Sequence, residues 1–366
     1  MALSIGIAGL ANVGKTTLFN ALTKAQNAQA ANYPFSTITP NKATAPVPDS
    51  RIDRLAALVK PKKTTRATVD FIDIAGLVRG SSRGGGLGNQ FLGNIRECAA
   101  ILAIVRCFDD ENVPHVDSSV NPLRDIETLE TEFILADIQS VERRLERLEK
   151  QAKGDKAARG LLEGMGRLLE HLNGGQGAAG FAAGNDEAVH AVWQELGLLS
   201  AKTVIYCANV DEEHLAEGNE HMRALRDFAA GRGAQLVTIC ARLEEELQSL
   251  PEAEQADILA AYGIRESGLA QVIRASYHAL GLISYFTTGP KEVRAWTVRR
   301  GCKAPQAAGV IHSDMERGFI RAEIISYEEY ARLGSEAACR SAGLLRVEGR
   351  DYTLRDGDVA HFLFNV

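Results

Sequence analysis

The sequence predicts an α/β protein with a doubly wound sheet of parallel strands, and three observations support this class. Short apolar segments alternate with glycine-rich loops and helical patterns from the amino terminus to about residue 122. A glycine-rich turn at residues 9–16 joins the first apolar strand to a helical pattern. Strand patterns return at residues 202–209 and 234–239. Strands that alternate with helices favour a parallel sheet covered by helices.

The turn at residues 9–16 matches the pattern Gly-x-x-x-x-Gly-Lys-Ser/Thr. The N–H groups of such a turn, with the following helix N-terminus, point at a phosphate. Lys15 is expected to reach the β- and γ-phosphates, and Thr16 to offer its hydroxyl to Mg²⁺. The alternative is an ordinary glycine turn in an unrelated α/β domain. The residues predicted here to bind a nucleotide are Asn12, Val13, Gly14, Lys15, Thr16 and Thr17.

A second motif, Asp-x-x-Gly, begins at Asp73 after an apolar strand. Asp73 is expected to hold Mg²⁺ through water, and the N–H of Gly76 to meet the γ-phosphate. Between the two motifs, Thr37 is the chosen candidate for a second hydroxyl ligand of Mg²⁺, with Ser36 and Thr39 as the ordinary neighbours.

Asn209 opens the segment that should meet the base, where guanine-specific proteins carry Asn-Lys-x-Asp. Here Val210 replaces the lysine and Glu212 replaces the aspartate. A carboxylate at the last position accepts hydrogen bonds from guanine N1–H and N2–H₂ but repels the N1 acceptor of adenine. A site whose buried polar pairing fails loses orders of magnitude in affinity. We therefore expect weak or absent guanine specificity, with backbone groups near Val210 contacting adenine.

The pattern changes after Pro122, where apolar residues recur three or four apart and predict a long amphipathic helix. A second helical pattern follows from 161 to 172, and residues 174–184 are rich in glycine and alanine. We interpret these segments as an antiparallel helical hairpin inserted into the sheet domain; the alternative is a bundle packed flat on the sheet. The last part of the chain, after Leu280, contains several short strand patterns and predicts a small α+β module.

The composition excludes several classes of protein. The 366-residue chain has a net charge of −6, so any contact with nucleic acid should be local and without DNA sequence specificity. Its six cysteines form no C-x-x-C pair, which argues against a zinc site or a disulfide framework and fits a reducing cytosol. No signal peptide or membrane-length apolar run is evident. We expect a cytoplasmic protein that does not bind membranes.

Taken together, these motifs resemble the YchF/Obg-like ATPase family of P-loop proteins along essentially the whole chain. The resemblance implies a Ras-like nucleotide domain (1–122 and 200–280), an inserted coiled-coil domain (123–199) and a C-terminal TGS domain with a ubiquitin-like β-grasp fold (281–366). It also implies hydrolysis of ATP in preference to GTP and association with ribosomes. The segments that carry it are residues 12–17, 32–37, 73–80, 86–92, 209–212 and 362–366.

Many relatives carry Pro at the position of Ala11 and Ser at that of Thr16, and both changes keep the phosphate cradle. The match is looser from residue 332 to 341. Where Ras-like enzymes carry a water-orienting glutamine, this chain has Leu77. His115 is the candidate catalytic residue, since the family retains a histidine there and imidazole can position or deprotonate water. An ordinary surface-loop histidine is the alternative.

Two further expectations concern the site. Some Ras-like proteins hold K⁺ with an asparagine at the position of Asn12, which makes K⁺ a second candidate cofactor. Residues 80–88, which include Arg83, and the preceding Arg79 predict a lid whose order depends on the γ-phosphate, with an ordinary surface loop as the alternative. Basic clusters at 60–63, 143–144 and 299–300 could contact rRNA, although each is also normal for a solvated surface.

Three functions remain open on the sequence. The first is an ATPase, possibly also a slow GTPase, that acts on the ribosome as a nucleotide-dependent switch in translation or stress. The second is a guanine-specific GTPase, which the segment at 209–212 disfavours. The third is a switch that binds ATP or ADP without turnover.

Overall fold

The computed structural model describes residues 4–29, 41–74, 87–151, 156–182 and 187–365. The chain forms two compact units. The first consists of Met1–Ala21, Thr39–Ala43 and Phe71–Leu269, and the second of Leu22–Ile38, Thr44–Asp70 and Ala270–Val366.

Strands and helices alternate through the first part of the chain. In order they are β1 (Ser4–Ala8), α1 (Lys15–Gln29), β2 (Lys42–Pro46), α2 (Ser50–Val59), β3 (Lys63–Thr65), β4 (Thr68–Asp73), α3 (Leu87–Glu97), β5 (Ala100–Arg106), α4 (Pro122–Gln151), α5 (Lys156–Asn173), α6 (Glu187–Leu196) and β6 (Thr203–Asn209). The rest of the chain contains α7 (Glu220–Gly231), β7 (Gln235–Ile239), α8 (Ala241–Leu247), α9 (Glu252–Ala261), α10 (Gly268–Ala279), β8 (Leu282–Thr288), β9 (Glu292–Arg299), α11 (Ala304–Ile311), α12 (Ser313–Arg317), β10 (Phe319–Ser326), α13 (Tyr327–Leu333), α14 (Glu336–Ser341), β11 (Arg346–Glu348) and β12 (Asp358–Phe364).

The first sheet has the strand order β2-β4-β1-β5-β6-β7. The pairs β1–β5, β5–β6 and β6–β7 are parallel. All seven residues of β5 are buried, and its sequence is a nearly continuous apolar run, as expected for a strand covered on both faces. This parallel sheet with intervening helices confirms the predicted α/β class.

The carboxyl ends of β1, β5, β6 and β7 meet at one edge of this sheet. Register pairing aligns Arg106 at the end of β5 with Asn209 at the end of β6. The pairing extends into the following loops, since Cys107 N–H donates to the Asn209 carbonyl oxygen at 2.8 Å. Val210 N–H likewise donates to the carbonyl oxygen of Ile239 at 2.8 Å. In open α/β sheets, ligands bind in the crevice outside such carboxyl ends.

Helix α4 packs against two different cores. Its first half contributes Ile126, Leu129 and Phe133 to the core that also contains residues of β5 and β6. Its second half contributes Val141 and Leu148 to a separate core with α5. The two halves of α4 therefore contribute to different cores.

The buried carboxylate of Asp137 ties α4 to the chain that returns to the sheet. It is fully buried and accepts hydrogen bonds from Leu199 N–H at 2.8 Å, Ser200 N–H at 2.8 Å and the Ser200 hydroxyl at 2.7 Å. Burial raises the pKa of the Asp137 carboxyl, against the opposing effect of these three donors. The site is a polar junction within the helical layer, and its hydrogen bonds offset the cost of burying the carboxyl.

The second unit contains a sheet of order β11-β10-β12-β8-β9-β3. Its core includes Tyr285, Phe319 and Phe362, which pack beneath α11. Strand β3 lies at one edge, where Lys63–Thr65 pair in parallel with β9. Strand β3 thus belongs to this second sheet, although the sequence prediction placed it within the nucleotide-binding part.

An ion pair explains why α2 belongs with this sheet. Arg51, at the start of α2, donates to both Asp49 and Asp356 at 2.9 Å. Its guanidinium also lies 5.3 Å from the ring centre of Phe286 on β8. Asp356 in turn accepts the N–H of Ser284 at 2.9 Å. One charged side chain therefore links sequence-distant segments through paired hydrogen bonds.

Among the described residues, no helix is both long and apolar enough to cross a membrane. The six cysteines are free thiols, and five of them are buried.

Candidate nucleotide-binding site

A cavity of about 730 Å³ opens at the carboxyl edge of the first sheet. Its volume is in the range of small-ligand sites. Loops after β1, β5, β6 and β7 all contribute to its wall. The lining residues are Asn12, Gly14, Lys15, Thr16, Thr17, Phe108, Asp109, Asp110, Val113, Asn209, Val210, Asp211, Glu212, Glu213, Cys240, Ala241 and Arg242.

The turn before α1 requires glycine at position 14. Gly14 has φ of +100°, and a Cβ built there would lie 2.3 Å from Asn209 Nδ2. A side chain would therefore be both strained and in collision with a neighbour. Asn12 also adopts a left-handed conformation, with φ of +60°, which asparagine tolerates better than most residues. Its Nδ2 donates to the carbonyl oxygen of Pro114 at 3.1 Å, so this turn contacts the loop after β5.

Lys15 is the cation at the phosphate end of the cavity. Its side chain is 7% exposed, and its ammonium donates to the carbonyl oxygen of Leu10. Burial lowers the pKa of Lys15 to about 8, partly offset by the carboxylate of Asp73. Burial likewise raises the pKa of the Asp73 carboxyl, against the opposing effect of the Lys15 ammonium. The Lys15 ammonium and the Asp73 carboxylate therefore each favour the charged form of the other.

Oxygen donors suited to a hard cation lie at the same end. Thr16 stands in the first turn of α1 and lines the cavity, while Asp73 is the last residue of β4. Hydroxyl and carboxylate oxygens are the ligands that Mg²⁺ takes in proteins, so these residues fit that ion. Thr37 and Gly76, the other predicted contacts at this end, lie outside the described residues.

Asn209 holds three loops together. Its side chain is 4% exposed, its Nδ2 donates to the Val13 carbonyl oxygen at 2.9 Å, and its Oδ1 accepts the N–H of Ala241 at 2.9 Å. The amide of Asn209 thus fixes the phosphate turn relative to the loop after β7. Val13 is itself buried, and its carbonyl oxygen is the acceptor in this contact.

Of the three acidic residues that follow Val210, the first two, Asp211 and Glu212, have carboxylates that already accept hydrogen bonds. Asp211 caps a short 3-10 helix by accepting the N–H of His214 at 3.0 Å, and the His214 ring contacts the same oxygen. The Oε2 of Glu212 accepts the hydroxyl of Tyr262 at 3.1 Å. Val210 is buried and forms an apolar part of the wall.

The loop after β5 is shaped by Arg106, which is 2% exposed. Its guanidinium donates to the carbonyl oxygens of Phe108 at 3.0 Å, Val113 at 2.8 Å and Asp110 at 3.2 Å. It also lies 4.6 Å from the ring centre of Phe108. Neither Arg106 nor Phe108 was predicted from the sequence. Their position directly after a buried strand at the ligand edge was the available signal.

His115 lies beside the cavity and does not line it. Its side chain is 4% exposed, its Nδ1 accepts the N–H of Asp117 at 3.0 Å, and its Nε2 lies 2.9 Å from Asp125. Because Nδ1 is an acceptor here, the neutral ring carries its proton on Nε2 and donates it to Asp125. Both ring nitrogens are engaged in this conformation.

The structure thus brings most predicted contacts to one place. Asn12, Gly14, Lys15, Thr16, Thr17, Asn209 and Val210 line the cavity. Beyond these, the loop after β7 adds a wall that the sequence motifs did not predict: Cys240, Ala241 and Arg242. A phosphate turn at a helix N-terminus, a buried lysine and a cavity at the strand ends together define a P-loop nucleotide-binding protein.

Comparison with known proteins identifies the family. The family model described as "50S ribosome-binding GTPase" matches residues 4–149, and YchF-GTPase_C, described as a protein of unknown function (DUF933), matches residues 282–365. The chain is 48% identical over 369 residues to the "Ribosome-binding ATPase YchF" of Bacillus subtilis (strain 168), with 100% of both chains covered. The protein of the same name from Escherichia coli O157:H7 shows 48% identity over 369 residues, again with 100% of both covered.

A solved structure gives the same result at the level of the fold. The YchF GTPase of Schizosaccharomyces pombe superimposes with a TM-score of 0.87 at 37% identity, covering 98% of this chain and 97% of that one. The chain therefore belongs to the YchF family of P-loop proteins.

Proposed function

We propose that this protein binds ATP with Mg²⁺ in the cavity, hydrolyses it to ADP and phosphate, and uses the bound nucleotide to control its association with the ribosome. The proposed preference for adenine over guanine rests on the hydrogen bonds that the carboxylates of Asp211 and Glu212 accept from other residues. Guanine needs a carboxylate aimed at its N1–H and N2–H₂ groups, whereas the carboxylates of Asp211 and Glu212 are held by His214 and Tyr262. Adenine needs no carboxylate, and the apolar wall at Val210 and Phe108 suits its ring.

At the phosphate end, Lys15 supplies positive charge and the turn supplies N–H donors. Thr16 and Asp73 would hold Mg²⁺, with Thr37 as a further ligand predicted by the sequence. When bound there, Mg²⁺ would supply positive charge that neutralises the negative charge developing on the transferred phosphate. The N–H of Gly76 is the proposed partner of the γ-phosphate. Asn12 is the proposed contact for K⁺. Comparable turnover in Na⁺ and K⁺ buffers would show that K⁺ is not a cofactor.

The ribosome is the proposed partner because the relatives are named for binding it. A role there implies a cytoplasmic protein. Lys60, Lys62, Arg299 and Arg300 are exposed on the second unit and could contact rRNA phosphates. We expect co-sedimentation with ribosomes that weakens as salt rises, because phosphate contacts release counterions.

The decisive experiment is a pair of calorimetric titrations of the purified protein with ATP and with GTP, each with Mg²⁺. We expect a lower Kd for ATP. Loss of both binding signals in Lys15→Ala would show that the cavity is the site. Tighter binding of GTP than of ATP would overturn the proposal and favour a guanine-specific enzyme, the activity for which the Schizosaccharomyces pombe protein is named.

A switch without turnover is the second candidate. It is favoured by the engagement of both His115 nitrogens, which leaves that ring unable to act on water in this conformation. Steady-state phosphate release, measured with and without ribosomes, separates the two. Release above background under either condition supports the ATPase, and its absence under both supports the switch.

A further inference from the structure

The carboxylate of Glu212 is held by a hydroxyl from a helix that is distant in sequence. Tyr262 ends α9, and its Oη donates to Glu212 Oε2 at 3.1 Å. The Tyr262 N–H donates to the carbonyl oxygen of Ile258 at 3.2 Å, which anchors its backbone. Its ring packs against a cluster of four buried residues, Cys240, Leu243, Leu247 and Leu259.

The position of this carboxylate matters because Glu212 stands where guanine-specific proteins carry their base-binding aspartate. Glu212 lines the nucleotide cavity and reaches one methylene further than aspartate would. A free carboxylate there would accept from guanine and repel the N1 lone pair of adenine. A hydrogen bond to a charged group is stronger than one between neutral groups, so the Tyr262 hydroxyl restrains the side chain effectively.

We infer that Tyr262 is a specificity-determining residue that positions Glu212 away from the purine edge and thereby disfavours GTP. The inference rests on the proposed preference for ATP and names the contact that sustains it. Tyr262 is not among the residues that line the cavity, so it would act through Glu212, which is. The neighbouring acid, Asp211, is held separately by the N–H of His214 and does not depend on Tyr262.

The test is the variant Tyr262→Phe, which removes the hydroxyl and keeps the ring in its apolar cluster. We expect the released carboxylate to tighten GTP and to weaken ATP, so that the two dissociation constants move in opposite directions. Their ratio should shift toward GTP by about tenfold, the factor that corresponds to roughly 1.4 kcal/mol. A variant that merely loosened the fold would weaken both nucleotides together.

Two controls isolate the contact. Tyr206→Phe removes another tyrosine–glutamate hydrogen bond, from Tyr206 Oη to Glu130 at 3.1 Å, and should leave the nucleotide ratio unchanged. The double variant Tyr262→Phe with Glu212→Gln keeps the shape of the acid and removes its charge. The gain for GTP should disappear in this double variant, because an amide is uncharged and presents a donor NH₂ group in place of the second carboxylate oxygen.

The outcomes separate this inference from the proposed function. An unchanged ATP-to-GTP ratio in Tyr262→Phe, or an equal loss of both affinities, overturns the role of Tyr262. Wild-type protein that prefers GTP overturns the proposed function instead. A shift toward GTP that persists in the double variant also contradicts the inference, since Glu212 would not then be its cause.

Discussion

The imidazole of His115 donates from Nε2 to the buried carboxylate of Asp125 across 2.9 Å, and the two side chains are only 4% and 3% exposed. The same ring accepts the N–H of Asp117. His115 therefore braces the loop whose neighbouring residue, Pro114, accepts the amide of Asn12 in the phosphate turn. Any direct action on water requires this ring to leave at least one of its partners.

Replacement of His115 by Ala should lower both stability and turnover. Asp125 would lose its imidazole donor, which should cost roughly 1–3 kcal/mol of unfolding free energy. If the ring leaves its partners to act on water, turnover should fall by about a hundredfold, the lower end of the range for a positioned general base. Asp125→Asn is the matched control, because its amide oxygen can still accept from Nε2. Unchanged turnover in folded His115→Ala would remove the imidazole from the mechanism.

Nucleotide affinity should weaken as pH rises through the pKa of Lys15. Burial lowers that pKa to about 8, whereas bound phosphates favour the ammonium and raise it. Binding then takes up a proton above pH 8, and Kd should rise by about tenfold between pH 7 and pH 9. Calorimetry in buffers of different ionisation enthalpy measures the uptake. Lys15→Arg stays charged, so its Kd should not change with pH over this range. A Kd that is independent of pH in the wild type would contradict the lowered pKa of Lys15.

Loss of the Asn209 amide should separate the phosphate turn from the loop after β7. In Asn209→Ala both hydrogen bonds disappear and two buried backbone groups, on Val13 and Ala241, lose their partners. We expect a loss of about 1–3 kcal/mol in denaturant unfolding, together with weaker nucleotide binding. Asn209→Asp keeps the acceptor for Ala241 N–H but faces the Val13 carbonyl oxygen with a carboxylate. Full affinity in both variants would show that the brace does not position the turn.

Arg106→Lys should loosen the wall that carries Phe108 even though the positive charge is retained. Arginine donates here to three carbonyl oxygens from the three nitrogens of a planar fork, and the single ammonium nitrogen of lysine cannot reproduce that geometry. The affinities for ATP and GTP should fall by a similar factor, because the loop borders the cavity without reading the base edge. Parallel titrations test this, with thermal unfolding as the check on folding. A change confined to one nucleotide would instead give Arg106 a part in base selection.

The phosphate turn could be predicted from the sequence because its chemistry is contiguous. Gly14, Lys15 and Thr16 are neighbours, and the local backbone conformation alone presents them. The environment of His115, in contrast, could not be predicted from neighbouring residues. Its residue type suggested catalysis, but its burial and its partner Asp125 depend on how the start of α4 packs, which the sequence pattern does not reveal.

Amphipathic periodicity predicted helix α4 correctly but not its partners. A stripe of apolar residues says which face is buried, yet it does not say against what. Phe133 packs on the core of the sheet domain while Leu148 packs with α5. The division occurs near Asp137, whose buried carboxylate has backbone partners more than sixty residues away.

By itself, then, the amino-acid order determined the parallel α/β class and the phosphate turn, and it predicts that residues 209–212 are unsuited to guanine, since each depends on local spacing and residue chemistry. Only the tertiary structure decided that Lys63–Thr65 complete a second sheet, that Arg106 shapes the cavity wall and that Tyr262 holds Glu212. Tyr262 and Glu212 are fifty positions apart in the sequence. Such long-range contacts depend on how the elements pack and on the need to give buried polar groups hydrogen-bond partners. Neither can be deduced from local sequence patterns.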